Sequence, residues 1–262
     1  MDETVVTGGS PERFGYEWAE YDELSAAYEE QFLRWLPFYK QEDWRGKSYL
    51  DVGCGMGRNS YWPASYGAKA GLAIDVDDRS LSAAKSTLAS FPRVRVDKRS
   101  AYEIGETDSF DIVFSIGVIH HLEWPQRALG EMVKAVKPGG EVAIWVYGRE
   151  NNGWLLWCLN PTRKILFSRM PISWVHFLSI LPTAVLWLAL RCGLSRIAYF
   201  RLIKTFSFRH LRSIVFDQML PRIANYWTKL EVQSLMDEAG LKNVELQWVN
   251  EMSWAARGCK SP

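Results

Sequence analysis

The first apolar pattern in the chain is helical. Between residues 17 and 36, Trp18, Tyr21, Leu24, Tyr28, Phe32 and Trp35 recur at spacings of three and four, and Pro37 ends the run. This spacing predicts an N-terminal cap helix. From Lys47 the period changes, and short apolar runs alternate with amphipathic ones: strand 49–52, helix 58–66, strand 71–75, helix 80–89, strand 94–97, strand 111–115, helix 126–136 and strand 142–147. Alternation of this kind predicts an α/β fold, a parallel sheet with helices on both faces. It stops at Asn151 and resumes near Asp217, with a helix over 229–239 closed by Gly240 and strand-like runs at 244–249 and 253–257. The predicted organisation is a cap over 1–45, a core over 46–150, an insertion over 151–216 and the remainder of the core over 217–262.

The insertion has a pattern of its own. Residues 171–190, PISWVHFLSILPTAVLWLAL, carry no charge; as a straight helix they would cover about 30 Å, the thickness of a bilayer core. Pro182 in mid-run removes a backbone donor, and both flanks are basic, so a membrane span is disfavoured. At 100° per residue, 195–216 forms a basic amphipathic helix, with Arg201, Lys204, Arg209 and Arg212 on one side and Ile203, Phe206 and Ile214 opposite.

Charge sharpens that picture. The net charge of +1 conceals nine basic residues and no acid between Asn151 and Phe216, leaving 22 basic against 30 acidic residues, or −8, elsewhere. With Trp154, Trp157, Trp174 and Trp187, the insertion predicts a segment lying in a lipid interface on the cytoplasmic membrane face, rings at headgroup level and arginines toward anionic lipid. His176 and His210 are then expected to be solvated or at headgroup level. The competing expectation is a helical lid, or a contact between two copies. Composition adds exclusions: 48% hydrophobic and 23% charged residues rule out disordered and low-complexity classes. Cys54, Cys158, Cys192 and Cys259 lack ligand spacing, so no metal site is expected and a reducing cytoplasm fits. The opening MDETVVTGGS lacks the basic and apolar regions of a secretory signal.

The chemistry is concentrated where the first strand ends. Asp51-Val52-Gly53-Cys54-Gly55-Met56-Gly57 is a glycine turn opening a helix, which lets backbone approach a ligand and points amides into a cleft. A dinucleotide fingerprint would carry glycine at the sixth position from Gly53, where Arg58 stands, so a nicotinamide cofactor is disfavoured. Asp51 suits a cationic ligand, and Asp75, closing the second strand, can accept both hydroxyls of a ribose. His120 and His121 follow the fourth strand, where a base for a neutral hydroxyl would sit; a structural role for the pair is the alternative. Tyr147, Arg149, Glu150 and Asn151 lie where they can meet an acceptor or form an ordinary polar loop.

These residues, with Phe110-Asp111, Ser115-Ile116-Gly117, His120-His121-Leu122 and Lys137-Pro138-Gly139-Gly140-Glu141, resemble the class I S-adenosylmethionine-dependent methyltransferases, closely over 46–148 and more loosely over 217–262. The resemblance implies a doubly wound, seven-stranded Rossmann-like sheet whose last strand is antiparallel, and S-adenosyl-L-methionine as cofactor. It implies that Asp51, Gly53 and Gly55 line the methionine part, Asp75 the ribose, and Ser100 and Ala101 the adenine, with Ser115 in the same cofactor-binding set. Arg13 to Trp18 resembles the N-terminal lid of small-molecule members. Ser-Ile-Gly after the fourth strand, in place of Asn-Pro-Pro-Tyr, disfavours a nucleic-acid substrate. The expected enzyme methylates a hydrophobic or amphiphilic small-molecule acceptor. Its rivals are a soluble sugar or natural-product methyltransferase and a non-catalytic cofactor-binding scaffold.

Overall fold

The computed structural model describes residues 10–20, 26–153, 157, 159–194 and 198–262. Its centre is a sheet of β1 (Ser48–Val52), β2 (Ala70–Asp75), β3 (Val94–Lys98), β4 (Phe110–Ile116), β5 (Val136–Tyr147), β6 (Lys242–Val249) and β7 (Ser253–Cys259), in the order 3-2-1-4-5-7-6. The first five strands are parallel, and β7 is antiparallel to both β5 and β6. Strand order reverses between β1 and β4, which opens a crevice at their carboxyl ends, the place where open α/β sheets bind ligands.

Every residue of β1 is buried, because both faces of the sheet are covered. On one face Leu50, Val52, Leu72 and Val113 meet Leu129 and Met132 of α5 (Pro125–Ala135) and Leu235 and Met236 of α11 (Lys229–Glu238). On the other, Tyr49 and Phe114 meet an aromatic cluster formed by Trp44 and by Phe32 of α2 (Ala26–Trp35). The pair α3 (Arg58–Ser65) and α4 (Asp78–Thr87) flanks β1, β2 and β3. Gly139-Gly140 lies inside β5 at a bulge, where pairing with β4 jumps from Phe110↔Val136 to Ile112↔Glu141.

Within the cap helix expected over 17–36, the described residues fall in two helical spans. The first, α1 (Pro11–Glu20), starts six residues earlier, with proline in its first turn, where the missing amide is harmless. It docks on α4 through Gly15, where an added Cβ would stand 1.8 Å from Asp77 Oδ1, an atom that already accepts the Arg79 and Ser80 amides. Tyr21, Leu24 and the Trp18 side chain lie outside the described residues.

Between β5 and α11 run α6 (Asn160–Ile165), α7 (Ile172–Leu178), α8 (Ile180–Arg191), α9 (Ala198–Ile203) and α10 (Phe208–Met219). The uncharged run stays helical from Ile172 to Arg191, long and apolar enough to cross a membrane, and divides at Ser179 only by the loss of a hydrogen bond, because the Pro182 ring nitrogen cannot donate to the Leu178 carbonyl. The predicted helix over 195–216 is also divided: Ser207 ends the preceding turn and its hydroxyl accepts the His210 amide, starting α10 afresh. Arg212 departs from the expected basic face. It turns inward, donating to His176 O at 2.7 Å and Ser179 Oγ at 3.1 Å, and so holds the α7–α8 junction. His176 packs against Tyr16 and Phe216, and His210 stacks on Phe206 at 4.0 Å, so both are held by rings. Trp154, Cys158 and Arg196 lie outside the described residues.

Candidate active site

The glycine turn leaves β1 with Gly53, Gly55 and Gly57 all at positive φ, +78°, +54° and +81°. At Gly53 a Cβ would stand 2.4 Å from Val118 Cγ2, so only glycine fits. The amides of Gly53 and Cys54 both donate to Ile74 O at 2.9 Å, tying the turn to the end of β2. There Asp75 Oδ2 accepts the Gly55 amide at 3.0 Å, and Oδ1 accepts those of Val76 and Asp77 at 2.8 and 3.1 Å. Burial pushes the Asp75 carboxyl above its ordinary value, and these three bonds oppose the shift.

The turn borders a cavity of about 1180 Å³ that Gly53, Gly55, Asp75, Ser100, Ala101 and His121 all line. A single small ligand occupies roughly 300–1,000 Å³, so the space suits a cofactor and part of an acceptor together. Asp51, Ser115 and His120 are not in the lining. Asp51 is buried behind the turn, accepting Ser60 Oγ at 2.7 Å, and burial raises it to about 7. Ser115 is fully buried and donates to Val52 O at 2.8 Å, joining β4 to β1.

The paired histidines differ. His121 faces the cavity with its Nδ1 2.7 Å from Ile223 O, a contact that makes Nδ1 the donor, and burial pushes its pKa down to about 3. His120 is completely buried, 3.8 Å ring to ring from Tyr147, with neither nitrogen hydrogen-bonded, and burial holds it well below its ordinary value. Folded His121 thus stays neutral where unfolded histidine protonates, near pH 6.5. Below that pH the unfolded chain binds more protons, so stability falls as the pH is lowered from about 6.5 toward 3. Proton NMR is expected to show a flat His121 imidazole signal between pH 5 and 8; an inflection near 6.5 would contradict the burial argument.

A second group of polar residues lies at the insertion side of the cavity. Tyr147 Oη donates to Asp217 Oδ2 at 3.2 Å and accepts Gln218 Nε2 at 2.7 Å. Glu17 of α1 is 2% exposed and also lines the cavity. Arg163 of α6, with no exposed surface, donates to Gln218 O at 3.1 Å and Asn160 Oδ1 at 2.5 Å. Apart from Tyr147, sequence reasoning singled out none of these residues for the site. Two signals were available: Asp217 is the first acid after an acid-free stretch of 66 residues, and Glu17 interrupts the apolar stripe of the cap. Of the loop after β5, Tyr147 reaches the cavity. Arg149 pairs with Glu231 at 3.0 Å, Glu150 Oε2 accepts Trp254 Nε1 at 3.1 Å, and Asn151 donates to Glu251 O at 2.8 Å, so these three fasten the C-terminal part.

The open space beside glycine backbone, with a carboxylate at the end of β2, fits a nucleoside whose ribose hydroxyls donate to Asp75 and whose chain runs along Gly53 and Gly55. S-adenosylmethionine supplies a methyl group on a positively charged sulfur. Residues 50–144 match the methyltransferase domain family. A tRNA U34 carboxymethyltransferase of Hahella chejuensis is 32% identical over 103 residues, 38% of this chain and 32% of that protein. A ubiquinone biosynthesis O-methyltransferase of Idiomarina loihiensis is 31% identical over 114 residues, 42% of this chain and 46% of that one. The chain thus matches about a third to a half of the length of these relatives. The fold is similar to a chain in the complex of the Haloferax volcanii Trm112 methyltransferase activator with a methyltransferase, with a TM-score of 0.60, 14% identity and coverage of 97% and 98%. It is also similar to the 1,6-didemethyltoxoflavin-N1-methyltransferase of Burkholderia thailandensis, determined with S-adenosylhomocysteine, with a TM-score of 0.55, 15% identity and coverage of 90% and 79%. Residues 50–144 thus carry a methyltransferase domain, set in a chain whose fold is similar to that of known methyltransferases.

Proposed function

We propose that the chain transfers the methyl group of S-adenosylmethionine to an amphiphilic or hydrophobic small molecule, working peripherally on the cytoplasmic face of a membrane, with residues 151–216 as the acceptor- and lipid-facing part. Asp75 is assigned to the ribose, Gly53 and Gly55 to the methionine part, and Ser100 and Ala101 to the adenine side, while Asp51, behind the turn, supports it through its bond to Ser60. One observation carries the acceptor class: two residues of the cavity wall also belong to the exposed apolar surface. Leu181 and Val185 of α8 line the cavity yet are 72% and 61% exposed. An apolar tail entering between them passes from a lipid surface to the sheet edge without crossing water. Trp174, Phe177 and Leu188 are exposed on the same pair of helices, an arrangement that marks a membrane or partner contact more often than a bare solvent face. The relative named for ubiquinone biosynthesis is in keeping with this reading.

The test is chemical. The chain is incubated with S-adenosylmethionine labelled in the methyl group, together with membrane lipid extract, soluble metabolites and total RNA. Label is expected in one lipid-extractable product, identified by mass spectrometry. Label confined to tRNA or to water-soluble products would overturn the acceptor class and leave the insertion as a lid.

A further inference from the structure

Methyl transfer to a neutral hydroxyl leaves a proton that some group must take, and neither histidine suits that task. His121 keeps only Nε2 for a proton, on a ring whose pKa burial lowers to about 3, and His120 is not in the cavity lining. The cavity holds two other candidates, the carboxyls of Glu17 and Asp217. They come from α1 and α10, 200 residues apart in sequence, and both line the cavity beside Tyr147 and Gln218. Glu17 is 2% exposed, and its Oε2 has no hydrogen-bond partner. A buried carboxyl oxygen without a partner is costly unless a ligand completes it, and Gln218 Oε1 is in the same condition. We propose that Glu17 and Asp217 form the polar floor of the acceptor site, that this floor binds the hydroxyl of an amphiphilic alcohol or phenol, and that Asp217 receives the hydroxyl proton during methyl transfer. The proposal rests on the methyl-transfer reading given above.

The surrounding charges divide the roles. Asp217 accepts the Tyr147 hydroxyl, which Gln218 Nε2 holds in place, and the positive charges of Arg58 and Arg163 favour its ionised form against burial. Glu17 has burial and the Asp217 charge against its ionisation, with Arg58 opposing them, so its carboxyl is pushed well above its ordinary value and holds its proton more tightly. Tyr199 and Tyr226, the other titratable groups facing Asp217, are themselves raised and remain neutral. Two carboxyls facing two guanidiniums leave no excess negative charge for a cationic acceptor, whereas an uncharged donor fits between them. As the acceptor oxygen bonds to the methyl carbon, the carbon–sulfur bond breaks with its electron pair left on sulfur, and the O–H proton passes to Asp217. The ether product has no proton to donate and is held more weakly.

The probe is octylphenol with its methyl ether, each titrated by tryptophan fluorescence into the full chain saturated with S-adenosylhomocysteine. The phenol is expected to bind at least about tenfold more tightly than the ether, as a hydrogen bond to a charged acceptor implies. In Asp217→Asn that preference is expected to fall toward unity with S-adenosylhomocysteine affinity unchanged. Equal binding of phenol and ether by the native chain overturns the proposed floor and leaves the amphiphilic reading standing. Failure of both to bind removes the amphiphilic reading and the floor with it. In turnover, Asp217→Asn is expected to lose about 10²- to 10⁴-fold with octylphenol, and far less with a nitro-substituted octylphenol that is already ionised at neutral pH. An equal loss on both acceptors, or no methylation of bound octylphenol by the native chain, overturns the base role. The comparison of phenol with ether in the native chain needs no variant, so it decides the matter even where Asp217→Asn does not fold.

Discussion

Asp75→Ala is expected to weaken S-adenosylhomocysteine binding by about 10²-fold or more. Two ribose hydroxyls donating to one carboxylate contribute roughly 1.5–3 kcal/mol each, and every 1.4 kcal/mol is a factor of ten. The structure adds a second reason. The same carboxylate accepts the Gly55, Val76 and Asp77 amides, so its removal also releases the turn that shapes the site. Asp75→Asn separates the two contributions in part, because its Oδ1 still accepts the Val76 and Asp77 amides while the charge and the acceptor for Gly55 are lost, and its loss is expected to be smaller. Gly53→Val is expected to match Asp75→Ala, since the added side chain both strains φ at +78° and drives into Val118. Calorimetric titration measures the affinities, and a melting curve shows whether each variant remains folded. Folded variants with native affinity would take the cofactor away from this turn. NAD is expected not to bind at all, because Arg58 stands where the dinucleotide turn needs glycine.

The sheet was legible in the sequence because its signals are local. Each strand of the core is a short apolar run bounded by a polar turn, and the glycine turn and Asp75 are fixed by their position at strand ends. Asp217 and Glu17 were not legible for the opposite reason: their roles come from burial beside each other across 200 residues, and no local period records that. The inserted helices were misjudged where a single polar group decides the outcome. Ser207 starts a helix where the apolar period predicts continuity, and Arg212, counted toward a lipid-facing stripe, spends its donors on His176 O and Ser179 Oγ. Helical periodicity states which side of a helix a residue occupies. It does not state whether a neighbouring helix end has carbonyls waiting there.

Trp174→Glu combined with Phe177→Glu is expected to lower partition onto anionic vesicles by about 10²- to 10⁴-fold, because each apolar side chain withdrawn from lipid forfeits roughly 1.5–3 kcal/mol. These two residues of α7 are 59% and 62% exposed, so the substitution leaves the packed core intact. Neither lines the cavity, so S-adenosylhomocysteine affinity is expected to be unchanged. Removing the whole segment from 152 to 213 would be a poorer test. Asn152 is buried and donates to Gly148 O and Met252 O at 2.7 Å, and Arg163, Val175 and Leu211 are buried as well, so the deletion would open the core. Salt distinguishes the two contributions to binding. Each basic residue near an anionic surface adds about 1 kcal/mol, screened within about 10 Å at 0.1 M salt, whereas apolar insertion responds little. The native chain, with basic Arg169, Arg191 and Lys204 exposed on the inserted segment, is therefore expected to be released from vesicles only in part by salt. The double variant, with less apolar surface to insert, is expected to be released more fully by the same salt. If the two proteins sediment alike with vesicles at every salt concentration, the exposed face of α7 does not enter lipid, and its apolar surface serves another molecule.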